Sequence, residues 1–114
     1  MITVYGISNC DTVKKARAWL DENGLAYTFH DFKKQGLPEP KLRRWEQAVG
    51  WEKLLNRKGT TWRKLDPALQ TATADSASAL ALMQANASVI KRPVLDWDGE
   101  ISVGFDASDW AARL

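Results

Sequence analysis

A strand–helix–strand pattern in the first 30 residues restricts the fold of this chain more than any other feature. Residues 2–5 alternate apolar and polar side chains, which is typical of a strand. Residues 12–23 form an amphipathic helix that Gly24 is expected to end, and residues 25–30 form a second short strand. The apolar face of the helix comprises Val13, Ala16 and Leu20. Two strands joined in this way are predicted to be parallel, with a right-handed crossover.

The remaining sequence is first helical and then predicts an antiparallel hairpin. Residues 31–40 form a linker rich in Lys, Gly and Pro, and residues 40–87 carry a helical pattern with breaks and a turn over residues 56–61. Residues 93–97 and 100–104 flank an Asp-Gly pair, a strong hairpin signal, and a final helix follows. This order predicts an α/β, thioredoxin-like fold: a βαβ unit, a helical insertion at about 40–87, a hairpin and a C-terminal helix. We expect all 114 residues to form one domain.

The composition argues against several classes of protein. Sixteen basic and fourteen acidic residues give a formal charge of +2, without the basic stripe that nucleic-acid binding requires. A single cysteine excludes an internal disulfide and a cysteine-based zinc site. No segment approaches the roughly 18 apolar residues of a membrane helix, and the N-terminus lacks a signal-peptide pattern. We therefore expect a cytoplasmic protein that binds no metal, membrane or nucleic acid.

Cys10, the only cysteine, is the leading candidate for chemistry. It lies where the first strand passes into the first helix. Unpaired backbone N–H groups and the aligned peptide dipoles at a helix N-terminus favour a thiolate over a thiol. Lys14, one turn further on, acts in the same direction, whereas Asp11 opposes it. The alternative is that Cys10 is a small buried hydrophobic residue, as most free cysteines are.

Three segments of the sequence resemble the ArsC/Spx family, which includes glutaredoxin-dependent arsenate reductases and the Spx transcription regulators. They are residues 4–20, which contain Cys10, residues 55–65 and residues 90–94. Within the second segment, residues 59–65 look closest to the YffB-like branch of the family. The resemblance extends over nearly the whole chain, and it implies the same thioredoxin-like fold.

The resemblance implies that Cys10 is a nucleophile. In the arsenate reductases the matching cysteine attacks the oxyanion, and in Spx it begins a Cys-x-x-Cys pair. Val13 occupies the second position of that pair here, so no redox pair can close within the chain. A resolving thiol must then come from glutathione or a glutaredoxin. Asn9 and the helix N-terminus are expected to donate hydrogen bonds to the sulfur.

The resemblance also implies anion-binding arginines. Arg92 matches one of them, and a planar guanidinium suits an oxyanion or a carboxylate; a surface ion pair is the alternative. The thioredoxin-like fold implies a cis peptide bond between Arg92 and Pro93, facing Cys10. Arg57 lies near a second family arginine, with a solvated turn residue as the alternative. The third family arginine is absent from residues 103–106, which argues against arsenate as the substrate.

His30 is the only histidine and ends the second predicted strand, at the sheet edge where Cys10 emerges. A Cys–His pair is conceivable at that edge. A histidine that ends a strand without an orienting third group is more often a solvent-facing residue.

These observations predict a monothiol reductase with glutathione as co-substrate. Cys10 would attack a small anionic or thiol substrate and form a mixed disulfide or a thiol–oxyanion intermediate, which an external thiol releases. One alternative is an Spx-like regulator that contacts the α subunit of RNA polymerase without turnover, since fold does not fix function. The other is a scaffold in which Cys10 is inert.

Overall fold

The computed structural model describes all residues, Met1–Leu114, as four β-strands and eight α-helices. The strands are β1 (Ile2–Gly6), β2 (Tyr27–Asp31), β3 (Val94–Trp97) and β4 (Ile101–Val103). The helices are α1 (Asp11–Glu22), α2 (Phe32–Gln35), α3 (Glu39–Val49), α4 (Trp51–Leu54), α5 (Thr60–Arg63), α6 (Pro67–Ala72), α7 (Ser76–Ala85) and α8 (Ala107–Ala112). A 3₁₀ turn covers Ala87–Val89. None of the helices has both the length and the apolar character that crossing a membrane requires.

The chain forms two compact units. The first unit comprises Met1–Gln35 together with Arg92–Leu114, and it contains all four strands. The second unit comprises Gly36–Lys91 and is helical. The sequence places its helical insertion at about 40–87, within the second unit.

One four-stranded sheet, in the order β2-β1-β3-β4, forms the first unit. β1 and β2 are parallel, with Val4 opposite Phe29, as the βαβ pattern predicts. β3 runs antiparallel to β1, with Tyr5 opposite Val94, and β4 runs antiparallel to β3. The structure therefore confirms the predicted parallel pair, the hairpin and the α/β, thioredoxin-like fold.

Trp110 of α8 is the largest side chain in the core of the first unit, and only 1% of it is exposed. Three aromatic rings meet it nearly edge-on, at centroid distances of 5.6, 5.2 and 4.8 Å: those of Trp19, Trp97 and Phe105. The other buried members of this core are Val4, Ala16, Leu20 and Leu95. Edge-to-face pairs of this kind stabilise a core beyond the burial of their area.

Helix α1 follows the predicted pattern closely. Its predicted apolar residues Val13, Ala16 and Leu20 are fully buried. The helix ends at Asn23, and Gly24 adopts a φ of 67°, the left-handed conformation that glycine tolerates best at this position.

Helix α2 lies within the stretch that the sequence predicts to be a linker, so that prediction was wrong for residues 32–35. The reason is a side-chain cap. The carboxylate of Asp31 accepts hydrogen bonds from the backbone N–H groups of Lys33 and Lys34, at 3.0 and 3.1 Å, and satisfies donors that the first turn leaves unpaired.

Local capping signals mark several helix ends in the second unit. Asp66 accepts a hydrogen bond from the N–H of Ala68 at the start of α6. Asp75 and Ser78 form a capping box at the start of α7. Gly50 ends α3 with a φ of 86°, a left-handed conformation that glycine adopts without strain.

The turn predicted over residues 56–61 is shorter in the structure. It ends at Gly59, whose N–H donates to the carbonyl of Asn56 at 3.3 Å, and Thr60 begins α5. The N–H of Arg63 donates to the Gly59 carbonyl at 3.2 Å, which closes the single helical turn. The prediction was therefore wrong for the last residues of the turn.

Candidate active site

The candidate residues of the first unit share one edge of its sheet. β1 ends at Gly6, which is paired with Asp31 at the end of β2. β3 begins at Val94, opposite Tyr5 of β1. Because β2 is parallel to β1 and β3 is antiparallel to it, this edge collects the residues that follow β1 and β2 and those that precede β3. Cys10 follows β1, and Pro93 directly precedes β3.

Cys10 is the N-cap residue of α1, with φ −95° and ψ 125°. Its carbonyl accepts the first helical hydrogen bond, from the N–H of Lys14 at 3.0 Å. Its half-buried side chain makes no capping hydrogen bond. The first-turn N–H groups beside an N-cap are the donors that a helix leaves unpaired, so they can interact with an anionic sulfur at this position.

A tight turn over residues 7–10 leads into Cys10. The N–H of Cys10 donates to the carbonyl of Ile7 at 3.2 Å, which makes Ser8 and Asn9 the two central residues. Neither central residue has a positive φ, which excludes types II, I′ and II′ and leaves type I, the commonest turn, as our assignment. Asn9 is exposed, and the hydrogen bond from Asn9 to the sulfur stays a prediction.

A buried carboxylate anchors this turn. Asp31 is only 5% exposed, and its Oδ2 accepts a hydrogen bond from the N–H of Ser8 at 3.1 Å, while Oδ1 caps α2. Burial alone would raise the pKa of Asp31, but the hydrogen bonds from Ser8, Lys34 and Lys33 outweigh it and lower the pKa below the ordinary value of 3.8. Sequence analysis did not identify this residue, although an Asp between a strand and a first helical turn is an N-cap signal.

Gly6 permits close packing beside the same turn. A Cβ atom at this position would lie 2.8 Å from Cγ2 of Val13 in α1, a separation that carbon atoms do not tolerate. Val13 is fully buried and its branched side chain has little room to move. Only glycine therefore allows α1 to approach the end of β1 this closely.

The Arg92–Pro93 peptide bond is cis, which confirms the prediction made from the fold. Pro93 is buried, and its carbonyl accepts a hydrogen bond from the N–H of Gly104 at 2.8 Å. Arg92 is half-buried. Its Nε atom is buried and has no hydrogen bond within the chain, although the residue takes part in other interactions.

His30 lies opposite Tyr5 in the parallel pair of strands. The two ring centroids are 5.2 Å apart and the ring planes are tilted by 49°. The imidazole therefore packs against a tyrosine that is itself buried. A Cys–His pair with Cys10 stays a prediction.

Arg57 belongs to the second unit, where it is exposed in the turn before α5. Its guanidinium carbon lies 5.5 Å from the ring centre of Trp51, within the range of a cation–π contact. Its role as an anion ligand also stays a prediction.

Comparison with known proteins settles the family. The sequence model of the ArsC family matches residues 5–113. The chain belongs to the ArsC family. A solved structure of a YffB protein shares 52% sequence identity with this ArsC-family chain and superimposes with a TM-score of 0.94; the match covers 100% of this chain and 99% of the other.

Two further relatives of this ArsC-family chain differ in what their names state. An uncharacterized protein of Haemophilus influenzae is 41% identical over 114 residues, which is 100% of this chain and 99% of the relative. The global transcriptional regulator Spx of Listeria innocua is 22% identical over 96% of this chain and 83% of the regulator. An arsenate-reductase-like fold with Spx-like relatives is compatible with a thiol reductase or with a regulator.

Proposed function

We propose that this ArsC-family protein is a cytoplasmic monothiol reductase that uses glutathione as its co-substrate. One observation carries the proposal: Cys10 is the N-cap of α1, is half-buried and makes no capping hydrogen bond with its side chain. The helix N-terminus can stabilise a thiolate there. A lone free thiol also suits a reducing compartment such as the cytoplasm.

The reaction requires two external thiols for each turnover. The Cys10 thiolate attacks one sulfur of a substrate disulfide, the sulfur–sulfur bond breaks, and the released thiolate takes a proton from water. The product is a mixed disulfide on Cys10. A glutathione thiolate then attacks that disulfide and regenerates Cys10, and a second glutathione completes the reduction to give glutathione disulfide. A glutaredoxin could replace glutathione as the reductant.

Arg92 is the residue that we propose to bind the anionic group of glutathione or of an oxyanion substrate. It lies at the edge of the sheet that also carries Cys10, two residues before β3, and a guanidinium is a donor that is always charged. Charge-assisted bonds from a guanidinium to a carboxylate are among the stronger ones in proteins. Pro93 and Asn9 complete the proposed substrate site in the first unit.

The Spx relative supports an alternative function, because it matches 96% of this chain. In that alternative the protein binds the α subunit of RNA polymerase and catalyses nothing. A pull-down with purified α subunit, together with a turnover assay, separates the two functions. Capture without turnover would favour the regulator, and slow alkylation of Cys10 without capture would favour an inert scaffold.

The direct test is the intact mass of the protein after exposure to oxidised glutathione. We expect the wild-type protein to gain one glutathionyl group, since it has one thiol, and to lose the group again when reduced glutathione is added. Cys10→Ser should gain none and should lose turnover in a glutathione-coupled assay while its circular dichroism is unchanged. Turnover that persists in Cys10→Ser would contradict the assignment.

The role of Arg92 is tested by substitution. Loss of a charge-assisted hydrogen bond is worth about 1.5–3 kcal/mol, so Arg92→Ala should raise KM for glutathione by about tenfold or more. Arg92→Lys keeps the charge but loses the planar fork of the guanidinium. Its KM for glutathione should therefore lie between the wild-type value and that of Arg92→Ala. Arg43→Ala is the matched control, because Arg43 is exposed on α3 and pairs only with Glu39 among the ion pairs described. An unchanged KM in Arg92→Ala would refute the role.

A further inference from the structure

We propose that Asp31 is a positioning residue for the Cys10 thiol, acting through the turn over residues 7–10. The inference rests on the proposed function, in which Cys10 is the nucleophile. Asp31 touches neither the sulfur nor a substrate in this proposal. It holds the backbone that determines where the N-cap of α1 lies relative to the end of β1.

The buried carboxylate of Asp31 performs two tasks at once. Its Oδ2 accepts the N–H of Ser8 at 3.1 Å, across 23 positions of sequence. Its Oδ1 accepts the N–H groups of Lys33 and Lys34 at 3.0 and 3.1 Å. A carboxylate is removed from water here and retained because its hydrogen bonds compensate for burial.

The geometry of the turn links Ser8 to Cys10. Ser8 is its second residue and Cys10 its fourth, and the N–H of Cys10 closes it on the carbonyl of Ile7 at 3.2 Å. In a type I turn the second residue has a φ near −60°. Serine does not enforce that angle, so a hydrogen bond from its N–H to a fixed acceptor supplies the constraint.

Asp31 differs from the other capping carboxylates in the reach of its hydrogen bonds. Asp66, Asp75 and Asp106 each accept a backbone N–H from the first turn of their own helix, so their contacts are local. Asp31 caps α2 in the same way, and it alone among the four also binds the segment that leads into Cys10.

The main variant is Asp31→Asn, which keeps the shape but replaces one acceptor oxygen by a donor. Because N–H groups face both oxygens of Asp31, the amide must oppose one of them whichever way it turns. The probe is the rate of alkylation by iodoacetamide at pH 7, measured by intact mass. We expect this rate to fall by about three- to tenfold, because small displacements of a reacting group have large kinetic effects.

A rescue separates positioning from general stability. Ser8→Pro removes the N–H donor and fixes φ near −65°, the angle that the second residue of this turn requires. Added to Asp31→Asn, it should restore the alkylation rate to within about twofold of the wild-type rate. A merely structural role for Asp31 predicts a lower melting temperature and no such recovery of the rate.

Two controls complete the experiment. Asp75→Asn removes a capping carboxylate in the second unit and should leave the alkylation rate unchanged. Asp31→Ser retains a cap for α2 but is too short to reach Ser8, so it replaces Asp31→Asn if that variant does not fold. A folded Asp31 variant that alkylates at the wild-type rate overturns the proposal, as does a double variant that stays slow.

The same measurements distinguish this proposal from the proposed function. Alkylation by iodoacetamide needs no glutathione, so it reports the effect of Asp31 even if oxidised glutathione forms no adduct with the wild-type protein. In that case the glutathione-dependent function fails, and the positioning role is judged by the alkylation rates alone.

Discussion

The two units of the protein differ in how their structure is determined and in their charge. The first unit joins both ends of the sequence in one sheet and carries seven basic and nine acidic residues. The second is a continuous helical segment with nine basic and five acidic residues. Cys10 lies in the unit with the acidic excess. Under the proposed function, attraction of an anion to Cys10 would therefore have to come from Arg92 and the N-terminus of α1, and not from the charge of the unit as a whole.

The two units also differ in how far apart in sequence the residues that determine their structure lie. Pairing of β1 with β3 joins residues that are about 90 positions apart, as between Tyr5 and Val94. Two helices of the second unit instead begin at side-chain caps within one turn: Asp66 caps α6, and Asp75 with Ser78 caps α7. Substitutions in matched pairs, one in each unit, test whether this distinction has energetic consequences.

The largest expected effect concerns the two fully buried tryptophans. Trp110 in the first unit and Trp45 in the second are each 1% exposed. Replacement of either by alanine should lower the free energy of unfolding by about 3–5 kcal/mol in a urea titration. Leu69→Ala, at a side chain that is 43% exposed, is the control and should change stability by less than about 1 kcal/mol. A small loss in one tryptophan variant would show that its unit does not depend on a core of its own.

Two glycines provide the second pair. Gly6→Ala should destabilise the protein by about 1–3 kcal/mol, because the new Cβ would lie 2.8 Å from the buried side chain of Val13. In Gly59→Ala the new Cβ would lie 2.7 Å from Nδ2 of Asn56, but that atom ends a half-buried, flexible side chain that can move. We expect a loss below about 1 kcal/mol there, again from urea titrations. Equal losses would mean that the close approach of α1 to β1 is not important for stability.

The smallest expected effect is on the dependence of stability on pH, which a pair of acid titrations measures. The pKa of Asp31 and the pKa of Asp75 both lie below the ordinary value of 3.8; at Asp31 burial opposes the hydrogen bonds, and at Asp75 the hydrogen bonds from Ser78 dominate. A lowered pKa in the folded state contributes stability above the unfolded-state pKa, and this contribution is lost as the pH falls through the folded-state pKa.

Urea titrations between pH 7 and about pH 3 measure this contribution. Asp31→Asn and Asp75→Asn should each flatten the decline of stability below about pH 5. The buried Asp31 should have the larger effect, because its carboxylate is shielded from water and exposed charges are screened. A larger effect from Asp75→Asn than from Asp31→Asn would contradict this expectation.

How much of the structure could be predicted from the sequence again depends on whether the decisive contacts are local or distant. Alternation, helical spacing and an Asp-Gly pair sufficed for the sheet and for α1, and Gly24 marked the end of α1 correctly. The single-turn helices α2 and α5 were missed, because four residues carry no periodicity.

In the site, the position of Cys10 at a helix N-terminus followed from the sequence, and the cis bond before Pro93 followed from the family resemblance. The role of Asp31 did not follow from the sequence, because its decisive partner Ser8 lies 23 positions away. The identity of a buried acceptor and its distant donor cannot be determined from local patterns, even where each residue is a familiar capping or turn type.

The position of β1 between β2 and β3 has a consequence for how the protein is made. A ribosome delivers β1, α1 and β2 first, and then all of residues 36–91, before β3 appears. Throughout that interval one side of β1 has no hydrogen-bonding neighbour, since its partner residues Val94–Trp97 have not emerged. The nascent chain therefore carries an open strand edge next to its single thiol, and only the last fifth of the sequence closes it.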